Sequence, residues 1–174
     1  MEYIPEIYKK RVLILGCGNI LFGDDGFGPE VCRYVSENYR IPKDIGVQDC
    51  GTGVREILFD ITLSSQRPEE MVIVDGIDSK RRPGEVFEIP IEDLPQIKRD
   101  DFSMHHLPTS NLLCKLRDDC GVKVSILSTQ ITHIPAEVKV GLSEELKEAI
   151  PKAAEFLAER YLFQFSHSKE EVSG

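Results

Sequence analysis

The fold of this chain is decided by residues 12–28, which read VLILGCGNILFGDDGFG. The apolar run at residues 12–15 is typical of a central strand that is buried on both faces of a sheet. It leads into a glycine-rich loop, after which Val31, Tyr34 and Val35 follow with helical spacing. The pattern predicts a strand, a loop and a helix in succession. In open α/β sheets, ligands bind beyond the carboxyl ends of the strands, which is where this loop lies.

The rest of the chain repeats this unit. Further strands are predicted at residues 46–50, 71–76, 86–89 and 122–127, with helices between most of them. The connection before residues 86–89 is too short for a crossover helix, so this strand is expected to run antiparallel to its predecessor. We therefore predict a three-layer α/β/α fold with a doubly wound, mostly parallel twisted sheet of about five strands, one of them antiparallel. A single domain spans residues 1–174, with an N-terminal arm at residues 1–10 and a frayed tail at 166–174.

Composition and charge exclude several classes of protein. The chain has 174 residues, of which 41% are hydrophobic and 29% charged, as in soluble globular domains. Its net charge of −9 opposes binding to nucleic acid and to anionic membrane surfaces. No apolar run approaches the roughly 20 residues that cross a bilayer, and the N-terminus does not resemble a signal peptide. Five cysteines without a CxxC pair indicate reduced thiols, so we expect a cytoplasmic protein.

The glycine-rich loop does not fit a dinucleotide site. Gly16 and Gly18 match the start of the dinucleotide fingerprint, but Leu21 stands where the third glycine is required. Asp24 and Asp25 would also place negative charge against the pyrophosphate. For Asp24, we favour a role as the cap of the helix that follows.

Acidic residues stand at the ends of three predicted strands. Asp25 follows the first strand, Asp49 lies near the end of the second, and Asp75 closes the third. Converging carboxylates raise one another's pKa unless a cation lies between them, and the pair His105-His106 can add a nitrogen ligand. Two carboxylates and one imidazole leave open positions, which suits catalytic zinc, nickel or manganese. An isolated aspartate at a strand end is more commonly a turn former or a helix cap, and both interpretations stay open on these residues alone.

Four motifs, in order along the chain, resemble those of the hydrogenase maturation endopeptidases. They are LGCGNILFGDDGFG at residues 15–28, DCGT at 49–52, IVDG at 73–76 and SMHHLP at 103–108. The second motif carries Cys50 where the family has a glycine. Enzymes of this family, often classed with aspartic-type peptidases, remove a C-terminal extension from the large subunit of nickel–iron hydrogenases after nickel insertion. The sequence around residues 105–108 is most similar to the branch that serves the deazaflavin-coenzyme-reducing hydrogenases of methanogens.

The resemblance implies a site and a partner. Asp25, Asp75 and His105 are then the metal ligands, and Asp25 or Asp49 is the catalytic acid–base group. Residues expected to contact substrate or to orient the ligands are His106, Gly51 and Thr52. The implied metal is nickel supplied by the hydrogenase large-subunit precursor, for which zinc or cadmium can substitute in vitro, and no organic cofactor is implied.

Two alternatives of other classes stay open. One is a zinc-type amidohydrolase or peptidase on the same fold, which would be purified with bound zinc. The other is a non-catalytic hydrogenase assembly chaperone, which would bind the precursor without cleaving it.

Overall fold

The computed structural model describes residues 3–93 and 109–163. The strands are β1 (Val12–Cys17), β2 (Ile45–Gly51), β3 (Glu70–Ile77), β4 (Val86–Ile89) and β5 (Lys123–Gln130). The α-helices are α1 (Phe27–Asn38), α2 (Val54–Leu63), α3 (Thr109–Asp118) and α4 (Glu144–Leu157). Short 3-10 helices cover Glu6–Lys9, Gly23–Gly26 and Ile91–Asp93, and a π-helical turn, Ala158–Leu162, extends α4.

Within the described residues, the strands form one sheet in the order β2-β1-β3-β5-β4. All neighbouring strands are parallel except β4, which pairs antiparallel with β5. The chain passes from β1 to β2 on one side and then crosses to β3 on the other side, so the strand order reverses at β1. The carboxyl ends of β1 and β3 therefore border a crevice of the kind in which open α/β sheets bind ligands. The predicted fold class is confirmed.

β4 runs antiparallel to β3, as the sequence predicted. It does not pair with β3 directly, because β5 lies between these two strands and pairs with both. β5 buries Ile126 and Leu127 on opposite faces, so it suits an inner position, whereas the four-residue β4 is only partly buried and suits an edge. β5 also runs to Gln130, beyond the strand predicted at residues 122–127.

Two apolar cores cover the two faces of the sheet. Because side chains alternate along a strand, even-numbered residues of β1 such as Ile14 pack with α1 and α4, whereas Leu13 and Leu15 pack with α2 and α3. The predicted N-terminal arm is partly folded, since its 3-10 helix buries Tyr8 in the second core. α4 continues through Pro151. In residues 3–93 and 109–163, no helix has both the length and the apolarity to cross a membrane.

Candidate active site

The Gly23–Gly26 turn carries Asp25 to the carboxyl end of β1. The turn leads directly into α1, and Asp25 is 95% buried there with one oxygen, Oδ2, accepting the Asn19 N–H at 3.0 Å. Gly18 permits this approach, because a Cβ at this position would lie 1.8 Å from the Asp25 carbonyl oxygen and its φ is +137°. Gly28 likewise lets the start of α1 lie against β3, since a Cβ there would be 2.3 Å from the Val74 oxygen. The glycines therefore serve close backbone packing around an acidic turn.

Asp75 is positioned by β3. It alternates with Ile73 and Ile77, so its side chain points to the face covered by α2 and α3, and it is nearly fully buried. Burial raises the pKa of Asp75 well above its ordinary value, the charge of Asp25 raises it further, and a hydrogen bond with the Gly76 backbone lowers it in part. The structure thus brings Asp25 and Asp75 together. Their roles as metal ligands stay predictions.

Asp49 lies at the rim of this crevice. It pairs in register with Gly16 of β1, but its carboxylate is exposed and accepts the Gly51 N–H at 2.8 Å. Gly51 has a φ of +51°, and its carbonyl accepts the Gly18 N–H at 2.9 Å, which joins the ends of β2 and β1. Thr52 follows with an exposed side chain. Asp49 therefore meets solvent, unlike the other two acids.

His105 and His106 lie outside the described residues, so their predicted roles are not tested by the structure. In residues 3–93 and 109–163, no group of three or more histidine, cysteine, aspartate or glutamate side chains is arranged to hold a metal ion. Within that part of the chain, the predicted ligand set is represented by Asp25 and Asp75.

Two cysteines near the crevice are protonated thiols. Burial, followed by the charge of Asp75, raises the pKa of Cys17 well above its ordinary value. Burial, followed by the charge of Asp49, raises the pKa of Cys50 to about 12. A nucleophilic cysteine requires a lowered pKa, so a packing role for Cys17 and Cys50 fits the structure better than catalysis.

Asp24 does not cap a helix, contrary to the expectation from sequence. α1 begins after Gly26 without a side-chain cap. Instead, Asp24 Oδ1 accepts the Ser143 N–H at 2.7 Å, while Oδ2 accepts the Thr132 N–H at 2.8 Å, the Thr132 hydroxyl at 2.7 Å and the Ser143 hydroxyl at 3.0 Å. Burial alone would raise the pKa of Asp24, but these hydrogen bonds outweigh it and lower the pKa below its ordinary value. The sequence offered no signal for Thr132 and Ser143, which lie more than 100 positions away along the chain.

Comparison with known proteins agrees with this geometry. Residues 29–160 match the family described as HycI, hydrogenase maturation protease. The chain is 37% identical over 150 residues to a putative hydrogenase maturation protease of Methanocaldococcus jannaschii, covering 86% of this chain and 95% of the relative. It is 31% identical over 154 residues to the coenzyme F420 hydrogenase subunit delta of the methanogen Methanothermobacter thermautotrophicus, covering 86% of this chain and 94% of the relative.

Solved structures show the same fold. The hydrogenase maturating endopeptidase HybD from Escherichia coli superposes with a TM-score of 0.72 at 25% identity, covering 86% of this chain and 91% of that one. The maturation protease HybD from Thermococcus kodakarensis gives a TM-score of 0.65 at 28% identity, covering 86% and 98%. The resemblance found in the four sequence motifs is confirmed, and the second relative agrees with the methanogen branch. The chain belongs to the hydrogenase maturation protease family.

Proposed function

We propose that this protease removes the C-terminal extension of a nickel–iron hydrogenase large-subunit precursor after nickel has been inserted. In this proposal Asp25 and Asp75 recognise the nickel carried by the precursor, with His105 as the third ligand. The observation that carries the proposal is the juxtaposition of two buried carboxylates at the carboxyl ends of β1 and β3. Two such charges destabilise each other in a low-dielectric site, and a cation that enters between them relieves that cost.

In this proposal the metal arrives with the substrate. A nickel ion seated in the precursor already has protein ligands, so two or three further groups are enough to recognise it. Oxygen and imidazole ligands are compatible with nickel and also with zinc or cadmium, which is why these metals are useful probes. The protease would then cleave only precursors in which insertion is complete.

The chemical step requires a polarised carbonyl and an activated water. A metal next to the scissile bond supplies the first of these and also lowers the pKa of a bound water. Asp25 or Asp49 accepts the proton from that water. The exposure of Asp49 supports its access to water, whereas the burial of Asp25 supports its proximity to the metal.

The test uses purified precursor in nickel-loaded and nickel-free forms. Wild type is compared with Asp25→Ala, Asp75→Ala and His105→Ala. Asp44→Asn serves as a matched control, because Asp44 forms an ion pair with Arg11 at 2.7 Å at the amino ends of the strands, away from the crevice. We expect the control to cleave only the nickel-loaded precursor, as wild type does, and the three alanine variants to be inactive.

Other outcomes identify the alternatives. Equal cleavage of both precursors contradicts recognition of nickel, and an active His105→Ala variant contradicts its role as a ligand. Precursor binding without cleavage would indicate an assembly chaperone. Bound zinc in fresh protein, together with hydrolysis of small amides, would indicate a zinc-type amidohydrolase.

A further inference from the structure

We infer that Asp24 is a positioning residue, which holds the Gly23–Gly26 turn against Thr132 and Ser143 so that Asp25 meets Asp75. Asp24 itself does not touch the reacting atoms. The consequence for cleavage rests on the proposed function of Asp25, whereas the consequence for the geometry of the turn does not.

The turn is attached to two distant parts of the chain through one carboxylate. Both oxygens of Asp24 accept hydrogen bonds, and all the donors belong to Thr132 and Ser143. Thr132 follows β5 and Ser143 immediately precedes α4. One side chain therefore connects the loop after β1, the loop after β5 and the start of the last helix.

The backbone of the Gly23–Gly26 turn also contacts its neighbours on two sides. A Cβ at Gly76 would lie 3.0 Å from the Asp24 carbonyl oxygen, so the turn rests directly on β3 beside Asp75. On the other side, the Gly23 N–H donates to the Lys139 oxygen at 2.8 Å, and the Lys139 N–H donates to the Leu21 oxygen at 2.8 Å. The turn is thus enclosed between β3 and the segment that follows β5.

Asp25 shares a planar peptide unit with Asp24, so a rotation at one residue displaces the other. The Asp24 side chain reaches Thr132 and Ser143, whereas Asp25 Oδ2 accepts the Asn19 N–H. Releasing Asp24 would therefore move Asp25 away from both Asn19 and Asp75. Because the position of Asp25 depends on the hydrogen bonds of Asp24, Asp24 differs from an ordinary buried hydrogen-bond acceptor.

Only a carboxylate satisfies all the donors in this arrangement. Both oxygens of Asp24 receive a backbone N–H, one from Ser143 and one from Thr132. An asparagine has the same size but presents an NH₂ group on one side, where it would face another donor. Asp24→Asn therefore tests the hydrogen bonds without creating a cavity.

The first measurement is amide hydrogen exchange at Asn19, because its N–H reports the position of the Asp25 carboxylate without metal or precursor. We expect Asp24→Asn to lower the protection of this amide about tenfold relative to the core amides of β1. Thr132→Val and Ser143→Ala each remove one hydroxyl donor and should have smaller effects, whereas Thr132→Ser keeps the hydroxyl and should resemble wild type.

A matched control separates positioning from general loss of stability. Tyr161→Phe removes a 2.7 Å hydrogen bond to Glu70, which lies at the amino end of β3, away from the crevice. We expect it to lower global stability while the protection of Asn19, relative to the β1 core, stays at the wild-type value. Wild-type protection of Asn19 in Asp24→Asn would overturn the inference.

The second measurement titrates Cd²⁺ by calorimetry and follows cleavage of nickel-loaded precursor. Asp24→Asn should weaken Cd²⁺ binding about tenfold and lower kcat/KM for the nickel-loaded precursor by a similar factor, because Asp25 is displaced from the metal. Wild-type Cd²⁺ affinity and wild-type kcat/KM in Asp24→Asn would contradict the inference. If wild type itself neither binds Cd²⁺ nor cleaves precursor, the proposed function fails, and the exchange of the Asn19 amide still decides whether Asp24 positions Asp25.

Discussion

Asp24 and Asp75 are both buried carboxylates at the carboxyl ends of the strands, but their surroundings shift their pKa values in opposite directions. Asp24 is 2% exposed, and the hydrogen bonds from Thr132 and Ser143 lower its pKa despite burial. Asp75 is 3% exposed, and burial together with the charge of Asp25 raises its pKa. Hydrogen bonds within the protein stabilise the negative charge of Asp24. For Asp75, by contrast, the neighbouring carboxylate of Asp25 makes ionisation less favourable. The direction of the pKa shift, rather than burial, therefore distinguishes Asp24 from Asp75.

The largest expected effect is on cleavage by a variant of Asp75. Asp75→Asn keeps the shape of the side chain but removes the charge that attracts a cation, so cleavage should fall roughly 10³-fold. The measurement is single-turnover processing of nickel-loaded precursor, with Asp44→Asn as the control. Retention of more than about a tenth of wild-type activity would contradict a direct role for Asp75.

The next effect is on stability and concerns Asp24. Asp24→Ala leaves the donors of Thr132 and Ser143 without their acceptor, so the free energy of unfolding should fall by about 3 kcal/mol. Urea denaturation followed by circular dichroism measures this change. A loss below about 1 kcal/mol would show that water replaces the carboxylate and that the comparison with Asp75 overstates the role of Asp24.

A smaller effect, of opposite sign, is expected for the stability of Asp75→Asn. Because the folded-state pKa of Asp75 lies above its ordinary value of 3.8, wild type loses stability as the pH rises through the folded-state pKa. The variant lacks this titration, so it should be more stable than wild type at pH 7, with the difference vanishing near pH 4.

The control for this pH dependence is Ile126→Val, an uncharged change in the same core. The free energy of unfolding of this variant should differ from that of wild type by the same amount at pH 4 and at pH 7. A destabilised Asp75→Asn variant at neutral pH would show that other contacts of Asp75 outweigh the cost of its charge.

The smallest effect on stability is expected for a variant of Asp49, at the rim of the crevice. Asp49 is exposed, and asparagine can accept the Gly51 N–H in its place, so Asp49→Asn should change the free energy of unfolding by less than about 0.5 kcal/mol. Precursor cleavage by the same variant then identifies the proton acceptor. A loss above about 100-fold assigns that role to Asp49, and near-wild-type activity assigns it to Asp25.

Much of the fold was predictable because its signals are local. The buried run that forms β1, the glycine-rich loop and the amphipathic pattern of α1 each depend on residues close together in sequence. The position of β5 between β3 and β4 was not predictable, because strand order is decided by packing between segments that are distant in the chain. Likewise, the extension of β5 to Gln130 depends on tertiary contacts, such as the Thr129 hydroxyl donating to the Glu85 oxygen at 3.1 Å.

The candidate site divides in the same way. By itself, the sequence determined the family, the parallel α/β architecture and the expectation that Asp25 and Asp75 converge, because the carboxyl ends of parallel strands share one edge. Only the tertiary structure decided that Asp49 is exposed and that Asp24 is held by Thr132 and Ser143 rather than capping a helix. The physical reason is that adjacent aspartates are chemically identical in a sequence, and only the donors and charges that folding places around them set their different roles.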